Sequence, residues 1–215
     1  VPKGYKLVGC DASGLELRML AHYMNDAEYI NQIIDGDIHS YNQEMAGLPS
    51  RDQAKTMIYA LCYGAGDVKM GTIINGSAAE GKQLKATLFN NIPSLADLIT
   101  KIKKASNRGY LKGLDGRKIW VRSEHSAPNF LLQSAGAIVM KKALVLLYNS
   151  AREEKLDFTF VGNIHDEYQT QVLEAHSERF GVLAVEAIVN AGIELNMNCP
   201  LDGESKIGNN WYECH

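Results

Sequence analysis

This 215-residue sequence reads as having no basic surplus, no cysteine framework, no basic-apolar signal segment at its head and no internal repeat. Its formal net charge is −3, so any grip on a polyanion must come from local clusters and not from overall attraction. The four cysteines, Cys10, Cys62, Cys199 and Cys214, form no CxxC pair and fall at no metal-ligand spacing. That argues against a zinc site or disulfide framework and fits a reducing cytoplasm. The sequence reads as having no apolar run near the roughly 20 residues that span a bilayer, so no membrane partner is expected. The chain opens on Val1, directly before a strand-like YKLVGC. The expectation is the interior of a longer protein, or a processed or split product.

What is present is a globular composition, 46% hydrophobic and 22% charged, in a length that can bury a core. YKLVGC reads as a buried strand with Asp11 at its end, and LELRMLAHYM as a helix after a turn at Ser13 and Gly14. Residues 26 to 108 are helical by period, broken at GDIHS, AGLPS, GAGD, INGS and NNIPS. A turn at GLDGRK precedes a strand, KIWVRS, and a long helix is predicted from about Asn129. TFVGNI and YQTQVL flank His165-Asp166-Glu167 as the arms of a hairpin, which puts Asp166 at its tip. Residues 175 to 195 form a further helix. The fold class is α+β: an antiparallel base carrying a helical lobe.

The segment RDQAKTMIYALCYGAG carries two faces when wound at roughly 3.6 residues per turn. Ala54, Met57, Ile58 and Leu61 make an apolar stripe, while Arg51, Lys55, Tyr59 and Tyr63 advance in steps of four along another face. Two cations one turn apart can grip adjacent phosphates, Arg as a bidentate fork and Lys as a point charge. A solvated basic face is the ordinary alternative. Asp11 could likewise be an N-cap and Asp166 with Glu167 a solvated hairpin tip. Yet two converging aspartates suffice for a divalent metal pair acting on a triphosphate, because Mg²⁺ keeps several waters and uses few carboxylates.

DASGLELR, RDQAKTMIYALCYG and IHDE resemble, in order, the A, B and C motifs of family A DNA polymerases. The blend is most similar to T7-like bacteriophage enzymes, since GDIHS, GLDGRK, LLQSAGA and the terminal CH also sit where that group has similar strings. The resemblance runs from about residue 4 to 215. It implies a palm formed by residues 1–24 and 112–215, with a fingers lobe, 25–111, inserted between them. Asp11 and Asp166, with the carbonyl of Ala12, would ligate two Mg²⁺ ions. Arg51 and Lys55, helped by His39, would bind the β and γ phosphates of a dNTP. Glu16, expected to contact Tyr63, would crowd the sugar 2′ position, and Tyr59 would weaken discrimination against dideoxynucleotides. His125, Asn129 and Gln133 match minor-groove positions, and His165 would lie near the primer terminus. Lys112, Arg117, Lys118 and Arg122 form a basic patch suited to primer-template phosphates. Glu167 would act at second remove from the metals, and His215 corresponds to a chain end near the active site.

Against the family pattern, the thumb, first palm segment and exonuclease domain are expected to lie outside this sequence, and the stretch between GAGD and GLDGRK reads as shortened. The expected partners are therefore primer-template DNA, dNTPs and an N-terminal polymerase part carrying thumb and exonuclease. The expected setting is the cytoplasm, that of the host if the chain is phage-encoded. Two other classes fit weaker subsets of the residues. A catalytically idle DNA-binding or assembly module would not need the catalytic set intact, and a metal-dependent nuclease would not need Arg51 and Lys55.

Overall fold

A computed structural model describes all 215 residues. The elements run β1 (Tyr5–Ala12), α1 (Leu15–Met24), α2 (Ala27–Ile34), α3 (Ile38–Ala46), α4 (Arg51–Cys62), α5 (Asp67–Ile73), α6 (Ala78–Asn91) and α7 (Pro93–Ser106). There follow β2 (Tyr110–Lys112), β3 (Lys118–Trp120), α8 (Ala127–Glu153), β4 (Phe158–Ile164), β5 (Glu167–Leu173), α9 (Ser177–Glu194), β6 (Gly203–Gly208) and α10 (Trp211–Cys214). They assemble into two compact units: Val1–Leu15 with Ala135–His215, and Glu16–Ser134.

The first unit is built on an antiparallel sheet of order β4-β5-β1-β6. β1 is central because its run of Leu7, Val8, Cys10 and Ala12 is buried, which a strand paired on both sides requires. β4 and β5 form the expected hairpin, with Ile164 facing Glu167 across a two-residue turn. His165 takes a left-handed conformation there (φ 55°), as a tight hairpin turn demands of one of its residues. Tyr168 is buried on β5 and its hydroxyl donates to the Met140 carbonyl at 2.5 Å, fastening α8 to the sheet. Phe158, Phe160 and Phe180 cluster with centroids 5.3–6.5 Å apart, tying the hairpin to α9. At Gly9 a Cβ would collide with the Cys214 carbonyl, so glycine lets the C-terminal segment close over β1.

The second unit is helical and its caps are spelled in the sequence. Asp26, Asp37, Ser50 and Ser77 each occupy an N-cap and accept backbone N–H bonds from the first turn, Ser77 in a capping box with Glu80. The breaks read at GDIHS, AGLPS, GAGD, INGS and NNIPS each mark a junction between consecutive helices. The stripe Ala54, Met57, Ile58 and Leu61 is buried, joined in the core by Tyr29, Leu88, Ile92 and Leu95. Burying such side chains contributes roughly 1.5–3 kcal/mol each, which holds short helices that would not persist alone. α5 and α6 approach closely at Gly71 and Gly81, where added Cβ atoms would meet backbone.

Three features differ from the sequence reading. β6 is unexpected in the polar tail LDGESKIGNN; it is an edge strand with alternating exposure, supported by its pairing to β1 and not by hydrophobicity. The strand expected over KIWVRS is only Lys118–Trp120, and its partner β2 gives no strand signal of its own. α8, with the turn before it, is long and apolar enough to cross a bilayer by length and composition. Half of that window is buried within the protein.

Candidate active site

In the first unit the end of β1 meets the hairpin tip. The Ala12 amide donates to the Asp166 carbonyl at 2.9 Å, and Asp11 stands in register with Glu167. The sheet therefore brings Asp11, Ala12 and Asp166 together from opposite ends of the sequence. Partial burial, then the charges of Asp166 and Glu167, raise the Asp11 carboxyl from 3.8 to about 6, against the opposing influence of His215 and Lys206. Glu167 is buried and already engaged: Gln169 donates to its Oε1, and His215 Nδ1 lies 3.0 Å from its Oε2. Both Glu167 and the chain end thus reach this cluster, with Glu167 already hydrogen-bonded. No three His, Cys, Asp or Glu side chains converge tightly enough to cage an ion on their own. Hard oxygen donors in excess of positive charge, with a backbone carbonyl beside them, fit a cation such as Mg²⁺ that completes its shell with water and substrate.

In the second unit α4 presents Arg51 and Lys55 to solvent. Arg51 forks onto Asp37, with Nε and an Nη donating to the two carboxylate oxygens at 2.6 and 3.0 Å, and this holds the Asp37 carboxyl well below the usual range. Asp37 also caps α3, accepting from the His39 amide at 3.1 Å, so one carboxylate positions both His39 and Arg51. The His39 ring lies 6.1 Å from that of Tyr59, and its Nδ1 is buried without a hydrogen-bond partner. Burial, then the charges of Arg51 and Lys55, lower the His39 pKa. The three residues expected to meet phosphate thus act on one another electrostatically.

A second cluster forms around Glu16. The Tyr63 hydroxyl, at the C-cap of α4, donates to Glu16 Oε1 at 2.5 Å, which pushes the Tyr63 phenol up to about 12. Gln133, read from sequence as a minor-groove contact, donates its amide to the same Glu16 oxygen. His125 touches a different feature: Gly64 (φ 78°) lies so close beneath its carbonyl that a Cβ would collide. Asn129 lies one turn before Gln133 on α8 and is half-buried. Arg117 bonds Asp115 at 2.6 Å, Arg122 is exposed, and His165 is exposed on the hairpin tip.

Asp37, Gln169 and Lys206 are supporting residues that the sequence reading missed. Asp37 was discoverable, because an aspartate before IHS is an N-cap signal. Gln169 and Lys206 depend on strand register and left no local signal.

The first unit thus carries a carboxylate pair at the end of β1, and the second unit a cationic face on α4. The fold matches the POL domain of Pol1 from M. smegmatis, described in complex with DNA primer-template and dNTP, at a TM-score of 0.90 and 24% identity, over 100% of this chain and 41% of that one. At that identity the likeness establishes the fold alone, an α+β architecture. Residues 1–213 match the sequence profile of DNA polymerase family A, and the chain belongs to that family. Among similar proteins are the DNA-directed DNA polymerases of Enterobacteria phage T3, 41% identical, and Escherichia phage Phieco32, 39% identical. They align with 99% and 100% of this chain, which spans 34% and 41% of their respective lengths. Members of the family generally use divalent metal ions.

Proposed function

We propose that this chain is the nucleotide-adding portion of a phage-type replicative DNA polymerase, joining dNTPs to a primer 3′-hydroxyl under template direction. The observation that carries the reading is the meeting of Asp11 with Asp166 and Glu167 at the end of β1, where the Ala12 amide bonds the Asp166 carbonyl and the neighbouring charges raise the Asp11 carboxyl. Residues 1–24 and 112–215 serve as palm, and 25–111 as fingers. Asp11 and Asp166, with the Ala12 carbonyl, hold two Mg²⁺ ions. Held by those residues, the ions would supply Lewis acidity toward a primer hydroxyl and toward the charge on pyrophosphate.

The remaining chemistry belongs to the chain's own side chains. Lys55 and Arg51 take the β and γ phosphates, Arg51 by exchanging Asp37 for a phosphate, and His39 assists them. Glu16, fixed by Tyr63 and Gln133, stands against a sugar 2′-hydroxyl and so selects deoxyribose. Tyr59 offers its hydroxyl where a 3′-hydroxyl is missing, which gives weak discrimination against dideoxynucleotides. His125, Asn129, His165, Arg117 and Arg122 contact primer-template DNA. A thumb- and exonuclease-bearing polymerase part supplies the rest of the grip, because a net charge of −3 gives no long-range attraction for DNA. The enzyme acts in the host cytoplasm.

Primer extension with Mg²⁺ and dNTPs, by the chain alone and with the upstream part of a phage relative's polymerase, tests the proposal. Template-directed extension that disappears in Asp11→Ala supports it. Template-independent degradation would assign a nuclease, and inertness in both formats would assign an idle module.

A further inference from the structure

The ribbon of β2 and β3 joins cations already read as suited to phosphates to an exposed aromatic face that has no assigned role. Trp120 is 69% exposed, although a large apolar ring ordinarily finds cover. Tyr110 stands opposite it in register with ring centroids 5.8 Å apart. Lys118 Nζ lies 4.7 Å from the Tyr110 centroid and 5.9 Å from that of Trp120, and the Arg108 guanidinium lies 5.8 Å from Tyr110. Residues 108–122 hold five cations, Arg108, Lys112, Arg117, Lys118 and Arg122, against the single acid Asp115, in a chain whose net charge is negative. Asp115 is engaged by Arg117, and no ion pair reaches the other four cations. Lys112 and Lys118 also face each other directly across the ribbon, an arrangement that destabilises a strand pair. A two-stranded ribbon of three residues a side has little stability to spare.

Uncompensated cations interleaved with exposed aromatic faces are the recognition chemistry of unpaired nucleic acid: phosphates meet the cations and a base meets the ring. A duplex satisfies the cations but hides its base faces. An acidic peptide satisfies the cations and leaves the ring bare. We propose that this ribbon binds single-stranded DNA, stacking one base on Trp120 while Arg108, Lys112 and Lys118 take the flanking phosphates. Assigning unpaired template as the natural occupant rests on the polymerase reading; binding itself does not.

The test uses Trp120 as its own reporter in a Trp211→Phe background, without metal or dNTP. Oligothymidylate is expected to quench the fluorescence. In anisotropy with a labelled strand, Trp120→Ala should weaken binding about tenfold or more, while Trp120→Phe keeps most of the affinity. Lys118→Ala should reduce the log–log salt slope by about 0.7. Unchanged affinity in Trp120→Ala with wild-type melting, or equal quenching by blunt duplex or oligoglutamate, would overturn the proposal. Asp11→Ala separates the two readings: it should abolish extension and leave single-strand affinity intact, whereas failure of the ribbon alone leaves extension template-directed.

Discussion

At the end of β1 the charges of Asp166 and Glu167 bear on Asp11, with His215 and Lys206 opposing them, whereas at the start of α4 Arg51 has already found its counter-ion in Asp37. The first region keeps an excess of charge that its own fold does not neutralise. The second keeps its charge satisfied until something displaces Asp37. Each arrangement suits a different kind of ligand. A metal site must attract cations while empty, but a phosphate clamp on a short exposed helix can rest in an ion pair and exchange it at little cost, since exposed pairs are worth about 0–1 kcal/mol. Substitutions in the two regions should therefore differ in size and sign.

The largest expected effect is loss of chemistry. Asp11→Ala or Asp166→Ala should lower single-nucleotide incorporation by about a thousandfold or more, because metal-borne charge stabilisation is worth several kcal/mol. Lys55→Ala should cost about a hundredfold, the scale of one lost electrostatic donor. Equal losses in all three would erase the distinction. Next comes sugar selection: Glu16→Ala should relax deoxyribose over ribose preference by roughly tenfold or more in competing incorporation. The same change should return the Tyr63 phenol from about 12 toward 10.0, followed by NMR titration.

A smaller effect has the opposite sign. Asp11→Asn should stabilise the metal-free chain at neutral pH by about 1 kcal/mol after allowance for solvent screening, raising Tm by roughly 2–4 °C. The folded Asp11 pKa is raised, so the penalty relieved is absent below its ordinary 3.8, where the group is protonated in both states, and grows as pH rises to about 6. Melting curves at pH 3.5 and 7.5 check both the sign and the window. The smallest effect belongs to the clamp: Asp37→Asn retains a capping oxygen but releases Arg51, and should tighten dNTP binding by at most about fivefold at low salt. A weakening would mean that Asp37 positions Arg51 productively.

Much of the fold and of the candidate site is legible in the amino-acid sequence. β1, the hairpin around Asp166, α4 with its buried stripe, and α8 all announce themselves by periodicity and turn residues. Their physics is local. The family resemblance carries the pairing of Glu16 with Tyr63, which no spacing could reveal across 47 residues. β6 stays hidden because GESKIG has too little apolar character to read as a strand and owes its state to β1. Likewise the bond of Gln133 to Glu16 and the pinning of Arg51 by Asp37 depend on which helices meet, a property of packing that sequence period does not encode. Trp120 gives no signal either, because exposure of a single ring is decided by everything that fails to cover it.

Whether the carboxylate cluster holds metal is decided by Mn²⁺ binding to the chain in the presence of dNTP, followed by the EPR signal of the free ion. The wild-type chain should retain Mn²⁺, Asp11→Asn and Asp166→Asn should each lose at least about tenfold in affinity, the scale of a lost charged ligand, and Asp37→Asn should bind the ion as wild type does. Wild-type binding in both Asp11→Asn and Asp166→Asn would contradict the claim that this cluster exists to hold metal.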